Sequence, residues 1–244
     1  MQPTSVSVVI PALDEAAFVG PALDAIRAAF AVPATCPVVL TDLLVVDNGS
    51  RDATADIARA HAAKVVFEPV RGVARARNTG ARAASGSVLL FLDADTIVPL
   101  SFGPALGECV ADPHCVGGAF ATEQRPRRVV IRAYLGLWRA LGRVLGMAQG
   151  AAQFCRREPF ESLGGYDESL HMGEDVDFYW RLKRLARGQA MRTKFVQHVR
   201  VSTSARRFDQ WPLWKALLWT NPVFVGLLRR RARIWRAWYE TPPR

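Results

Sequence analysis

The fold class that this 244-residue sequence predicts is α/β, a mostly parallel Rossmann-like sheet flanked by helices. Short β-branched runs alternate with helical stretches through its first half, the rhythm of strands joined by crossover helices. Turn-forming and acidic residues stand directly after those runs, where a parallel sheet delivers side chains to a ligand. Apolar residues make up 50% of the chain, enough for one sizeable domain with its own core.

Taken in order, residues 6–10 read as a strand, 15–30 as a helix, 43–46 as a strand and 52–62 as a helix that Asp52 caps. Residues 65–67, 72–84 and 88–92 continue as strand, helix and strand, completing a doubly wound half-domain. Past Pro99 the rhythm changes to a helix up to about residue 111, a strand at 116–122, a basic amphipathic helix at 129–145 and a strand at 151–155. The Gly164-Gly165 turn and an acidic loop then lead into a helix at 175–185, and a strand follows at 195–201. These elements imply a catalytic domain over 1–207, with halves of about 1–98 and 99–207, and a basic helical tail over 208–244.

Charge separates the same parts. Residues 1–180 carry 16 Lys and Arg against 20 Asp and Glu, whereas 181–244 carry 16 against 2, so the last quarter holds a net +14. Such asymmetry points to a polyanionic partner, a nucleic acid or an anionic membrane surface. Five of the seven tryptophans, Trp211, Trp214, Trp219, Trp235 and Trp238, lie beside Arg229-Arg230-Arg231, the composition of a helix at a membrane interface or of aromatics that pack on the catalytic domain or on a second subunit. Lys215, Asn221 and Pro222 interrupt the 18-residue run 211–228, so a spanning helix is not expected. The first residues lack a basic segment followed by an apolar one, which predicts a cytoplasmic chain, peripheral at most on the inner membrane face. Cys36, Cys109, Cys115 and Cys155 are widely spaced and read as core thiols.

Four constellations carry chemistry. The strand Phe91-Leu92 runs into Asp93-Ala94-Asp95, whose hard oxygens suit Mg2+ or Mn2+ bridging a diphosphate. Asp47 ends another strand, where it can accept from a nucleobase N–H while Asn48-Gly49-Ser50 makes the turn. Arg71, Arg75 and Arg77 enter a helix behind Gly72, with Arg71 and Arg75 expected on one face near its positive end, a place for phosphates or a solvated charged face. Glu174-Asp175 opens a helix, where a carboxylate can take a proton from an attacking hydroxyl or simply cap the helix.

These motifs, in this order, make the chain resemble the family-two inverting glycosyltransferases of the GT-A fold. The resemblance runs from about residue 5 to 207, through Val8 to Glu15, Val46 to Ser50, Ala76-Arg77-Asn78, Asp93-Ala94-Asp95 and Glu174-Asp175. It implies transfer of a single sugar from a nucleoside-diphosphate sugar, UDP favoured, to an acceptor hydroxyl with divalent-metal help. Pro11, Ala12 and Glu15 would line the nucleoside pocket and Asp47 would hold the base. Arg77 and Asn78, with Arg71 and Arg75, would lie near the donor phosphates. Asp95 would ligate the metal, Asp93 would serve the donor or the metal, and Asp175, beside Glu174, would be the catalytic base. Gln153 would sit on a strand facing the sugar. The Gln-x-x-Arg-Trp segment of processive synthases has no match, because Arg206 to Trp211 has the wrong order.

His198 completes the metal site, faces substrate or is structural, and His171, just before the acidic loop, is placed on the acceptor side. A dehydrogenase is excluded, since Pro11 to Glu15 stands where a glycine-rich fingerprint belongs. A metal-dependent nucleotidyltransferase would also use paired carboxylates. A nucleic-acid-binding protein would leave them idle, so nucleic acid is the less expected partner.

Overall fold

The computed structural model describes residues 3–145, 151–231 and 233–235. The first half runs β1 (Thr4–Ala12), α1 (Val19–Phe30), β2 (Val38–Asp47), α2 (Thr54–Ala60), β3 (Lys64–Phe67), α3 (Val73–Ala83) and β4 (Val88–Leu92). Then come β5 (Thr96–Ile97), α4 (Phe102–Val110), β6 (Cys115–Glu123), α5 (Val129–Leu145), β7 (Ala152–Arg156), α6 (Arg157–Ser162), α7 (Glu174–Gly188) and β8 (Arg192–Thr203). Three short helices close the described chain: α8 (Arg206–Gln210), α9 (Leu213–Trp219) and α10 (Pro222–Leu228).

All eight strands join one sheet in the order β3-β2-β1-β4-β7-β6-β8-β5. β1 pairs parallel with β2 and β4, and β2 with β3, so four adjacent strands deliver their carboxyl ends to one edge. β7 is antiparallel to both β4 and β6, and β8 returns parallel to β6. Strand alternation divides the core between the two faces. Val8, Ile10, Leu90 and Leu92 pack with α1 and α4 on one side, and Val9, Leu89 and Phe91 with α3 and α7 on the other. Gly80 lets α3 lie flush on the sheet, since a β-carbon there would stand 2.3 Å from Val9 Cγ1 and 2.8 Å from Val46 Cγ2.

Some boundaries differ from expectation for local reasons. α1 starts at Val19 because Glu15 O accepts from the Phe18 and Val19 amides in a preceding turn. Asp52 does not cap α2: it accepts from Thr54 N at 3.0 Å and Ala16 N at 3.1 Å, tying two loops together. Cys109, Cys115 and Cys155 are buried free thiols of the core, whereas Cys36, also free, is only partly buried.

The C-terminal helices fold back onto the domain. Trp211 and Trp235 are buried, and Trp211, Trp219, Trp235 and Phe224 form a chain of edge-on aromatic contacts. These three indoles therefore pack inward, while Trp214 is the strongly exposed tryptophan among the described residues of the tail. Trp238 lies outside the described residues. Arg229 pairs with Asp177 at 3.3 Å and Arg230 with Asp167 at 3.4 Å, fastening the tail to α7 and to the acidic loop before it. No helix among the described residues is long and apolar enough to cross a membrane.

Candidate active site

The carboxyl ends of β1, β2 and β4 meet at a cleft of about 420 Å³. Pro11, Ala12, Glu15, Asn48, Asp93 and Asp95 line its sheet side. Met172, Gly173, Glu174 and Asp175 face them from the entry to α7, while Arg206, Arg207 and Phe208 enter from the segment after β8. Leu135, Trp138 and Arg139 of α5 make a further wall.

Arg77 organises the floor. Its Nη1 donates to Glu174 Oε1 at 2.7 Å and its Nη2 to Asp93 Oδ1 at 2.9 Å, so one planar guanidinium joins the end of β4 to the start of α7. Burial works to lower the Arg77 pKa, but Asp93, Tyr166, Glu174 and Asp175 outweigh it and hold the charge firmly. Glu174 is buried as deeply, and desolvation together with Asp175 raises its pKa against the pull of Arg77. Gly173, left-handed at φ 74°, is the N-cap, so neither acid is needed to cap α7. Asp175 Oδ1 accepts from Val176 N at 2.8 Å, and Asp175 lines the cleft beside Glu174.

A second acidic group sits opposite. Asp95 is pushed up to about 7, first by burial and then by repulsion from Asp93 and Glu15. Burial also raises the Glu15 pKa, opposed by the Arg206 guanidinium bonded to its Oε1, while its Oε2 is buried with no hydrogen-bond partner. Arg206 lies 3.9 Å from Asp95 and stacks 4.4 Å above the Phe18 ring. Beside it lies the half-buried Arg207, its pKa lowered by desolvation and by Arg206. Three crowded carboxylates with an orphaned oxygen fit a hard divalent cation such as Mn2+ or Mg2+. Among the described residues no three His, Cys, Asp or Glu side chains are grouped to hold a metal ion by themselves, so a cation here would need further oxygens from a bound diphosphate.

Several residues expected at the donor lie elsewhere. Asn78 is buried: its amide donates to Tyr166 O at 2.9 Å and Glu168 Oε1 at 3.0 Å, and its oxygen accepts from Tyr166 N at 2.9 Å. It clasps the Gly164-Gly165 loop to α3 instead of facing phosphates. Arg75 pairs with Glu168 at 2.9 Å, outside the cleft. Arg71 precedes α3 and is exposed, so it shares no helix face with Arg75. Asp47 Oδ1 accepts from Ser50 N at 2.9 Å and closes its turn just beyond the cleft lining.

Gln153 is buried behind the site. Its amide donates to Asp175 O at 3.1 Å and its oxygen accepts from Tyr166 Oη at 3.2 Å, so it supports the start of α7 without touching the cleft. His198 is exposed where β8 bulges away from β6, between the Phe120–Val196 and Ala121–Arg200 pairs, and does not line the cleft. His171 stands one residue outside the lining, its amide donating to Arg229 O at 2.8 Å.

Sequence reasoning passed over Asn48, Arg206 and Arg207. Asn48, read as a turn residue, is buried and holds the next loop by donating to Glu68 O and Val70 O, both at 2.9 Å, and accepting from Gly72 N at 2.7 Å. The strand-end rule applied to β8 would have singled out the two arginines that follow it.

Residues 7–164 match the sequence model of glycosyl transferase family 2. The chain belongs to that family. The Pre-mycofactocin glycosyltransferase of Mycobacterium tuberculosis is 31% identical over 156 residues, covering 57% of this chain and 33% of that protein. The chain thus spans about a third of the length of the curated relatives it matches. Among solved structures, glucosyl-3-phosphoglycerate synthase from Mycobacterium tuberculosis, in complex with Mn2+, UDP and glucosyl-3-phosphoglycerate, superposes with a TM-score of 0.59 at 27% identity. That match covers 93% of this chain and 80% of that one. The mannosyltransferase PcManGT from Pyrobaculum calidifontis, in complex with GDP-Man and Mn2+, gives a TM-score of 0.68 at 22% identity over 97% of this chain and 65% of its own, a likeness of fold. The GT-A architecture expected from the motifs is the one observed.

Proposed function

We propose that this chain transfers a single sugar from a nucleoside-diphosphate sugar, UDP-linked in preference, to an acceptor hydroxyl, with inversion at the anomeric carbon. The observation that carries the reading is the meeting of Glu15, Asp93 and Asp95 with Glu174 and Asp175 around one cleft in a family-two chain. Pro11, Ala12, Glu15 and Asn48 receive the nucleoside, with Asp47 at the neighbouring strand end for its base. Arg206 and Arg207 bring positive charge to the diphosphate side. Asp95, with Asp93 beside it, would hold Mn2+ or Mg2+, and the cation would supply positive charge against the departing diphosphate.

Asp175 takes the acceptor proton. Asp175 is the less buried of the two acids that line the cleft, whereas Glu174 is buried and bonded to Arg77, so the adjacent acids divide into a base and an anchor. Arg77 keeps both in register with Asp93, and Gln153 fixes the Asp175 backbone from behind. His171 stands at the acceptor side of the cleft, next to Met172. The catalytic unit is the 1–207 segment, and the basic segment after it brings the chain to an anionic membrane surface on the cytoplasmic side.

Calorimetric titration of UDP and GDP with and without Mn2+, repeated on Asp95→Ala, tests the donor half. Metal-dependent binding of one nucleotide that the variant loses is the expected result. Absence of binding to either nucleotide under every condition overturns the reading.

A further inference from the structure

The helix α5 has two apolar sides, and the protein covers only one. Ile131 and Leu135 are buried against Ala216 of α9, with Tyr134 and Phe208 packed beside them, and Tyr134 Oη donates to Leu217 O at 2.8 Å. The same side continues into the cleft wall through Leu135, Trp138 and Arg139. Val130, Leu137 and Leu141 follow one another at intervals of seven and four, which places them on one face, and all three are exposed, Leu137 to 65%.

The neighbouring helices repeat the pattern. α9 buries Ala216 and turns Trp214 and Leu218 outward, Trp214 to 66%. α10, which packs on α9, exposes Val223 and Leu227 one turn apart. An ordinary soluble surface scatters such residues singly, so outward apolar stripes on three successive contacting helices mark an interaction face.

Charge identifies the partner. Residues 124–145 contain six arginines and no acid, and residues 210–235 contain Lys215 and four arginines, again without an acid. Arg125, Arg127, Arg128 and Arg132 are exposed around the start of α5, and Arg231 and Arg233 beyond the end of α10. A second copy of this chain would set like charges against one another. Aliphatic side chains such as Leu137 and Leu227 offer nothing to a phosphate backbone or a stacked base.

We propose that the outward faces of α5, α9 and α10 form a docking surface for an anionic lipid bilayer. Val130, Leu137, Leu141, Trp214 and Leu227 enter the headgroup boundary, and the surrounding arginines meet lipid phosphates. This deepens the membrane attachment of the proposed function and rests on it, but moves the contact from the tryptophan cluster, which is turned inward, to the aliphatic face of α5 and its neighbours.

The test is co-flotation of the full chain with vesicles of phosphatidylglycerol mixed with phosphatidylcholine, against vesicles of phosphatidylcholine alone. Wild-type protein should float with the anionic vesicles and stay behind with the neutral ones. The double variant Leu137→Ser, Trp214→Ser removes two exposed side chains and should lower the partition coefficient by at least about tenfold. Its UDP binding with Mn2+ and its melting temperature should be unchanged. No flotation of wild type, or equal flotation of the variant, overturns the surface, as does a self-association that the variant abolishes while vesicles bind neither protein. Loss of nucleotide binding with flotation intact would instead strike the transferase reading alone.

Discussion

Arg77 reaches Glu174 at 2.7 Å and Asp93 at 2.9 Å through separate nitrogens of one buried guanidinium. The contact fixes the distance between the end of β4 and the start of α7, the two elements that face each other across the cleft. A lysine ammonium has one nitrogen and cannot reproduce a planar fork. Arg77→Lys should therefore lower kcat with a smaller loss of stability, and Arg77→Met should cost about 3–5 kcal/mol by stranding the buried Glu174 carboxylate. Urea unfolding of both variants beside their transfer rates checks the order.

Asp95 gives a pH-dependent signature in the nucleotide-free protein. Its folded pKa, about 7, lies above the ordinary carboxylate value, so the folded state holds a proton that the unfolded chain releases. The stabilising effect of that proton is complete below the unfolded value and is lost as pH rises through about 7. Asp95→Asn should raise the melting temperature at pH above this value, and the gain should shrink as the solution is acidified. Melts across that range read it directly, and a gain independent of pH would count against the repulsion among Asp95, Asp93 and Glu15.

Removal of the proposed base separates chemistry from binding. Asp175→Asn should lower kcat by about 10²–10⁴ while leaving UDP affinity near wild type, since the nucleoside side of the cleft is built from other residues. A coupled assay for released UDP, run beside calorimetry, measures both. Equal losses in the two would place Asp175 in donor binding.

Gly80 sets the seat of α3. Gly80→Ala pushes a β-carbon into Val9 and Val46, so the helix must lift, and the cost should be about 1–3 kcal/mol. Because Arg77 lies one turn earlier on the same helix, kcat should fall along with the unfolding midpoint.

The parallel half was legible because each strand and helix carries its own periodic signal, as Val88 to Leu92 does with every residue buried. The acidic motifs were legible for a similar reason, since Asp93 and Asp95 stand directly behind a strand. The order of β7, β6 and β8 depends on pairing between distant segments, which no local pattern records. Asn78 shows the same limit: beside Arg77 it resembles a phosphate contact, yet its partners Tyr166 and Glu168 lie 88 and 90 residues away. Arg206 was hidden because its acidic partner Glu15 lies 191 residues earlier.

Phe154 of β7 pairs with Leu90 of β4 on one side and Gly118 of β6 on the other. The segments before and after Pro99 are thus stitched into one plate by backbone ladders, and a hinge between them would have to break those ladders. Entry of substrates and escape of products then fall to the segments around the mouth, the acidic loop before α7 and the stretch after β8. The halves need not find each other on each turnover, because the plate already holds them at working distance.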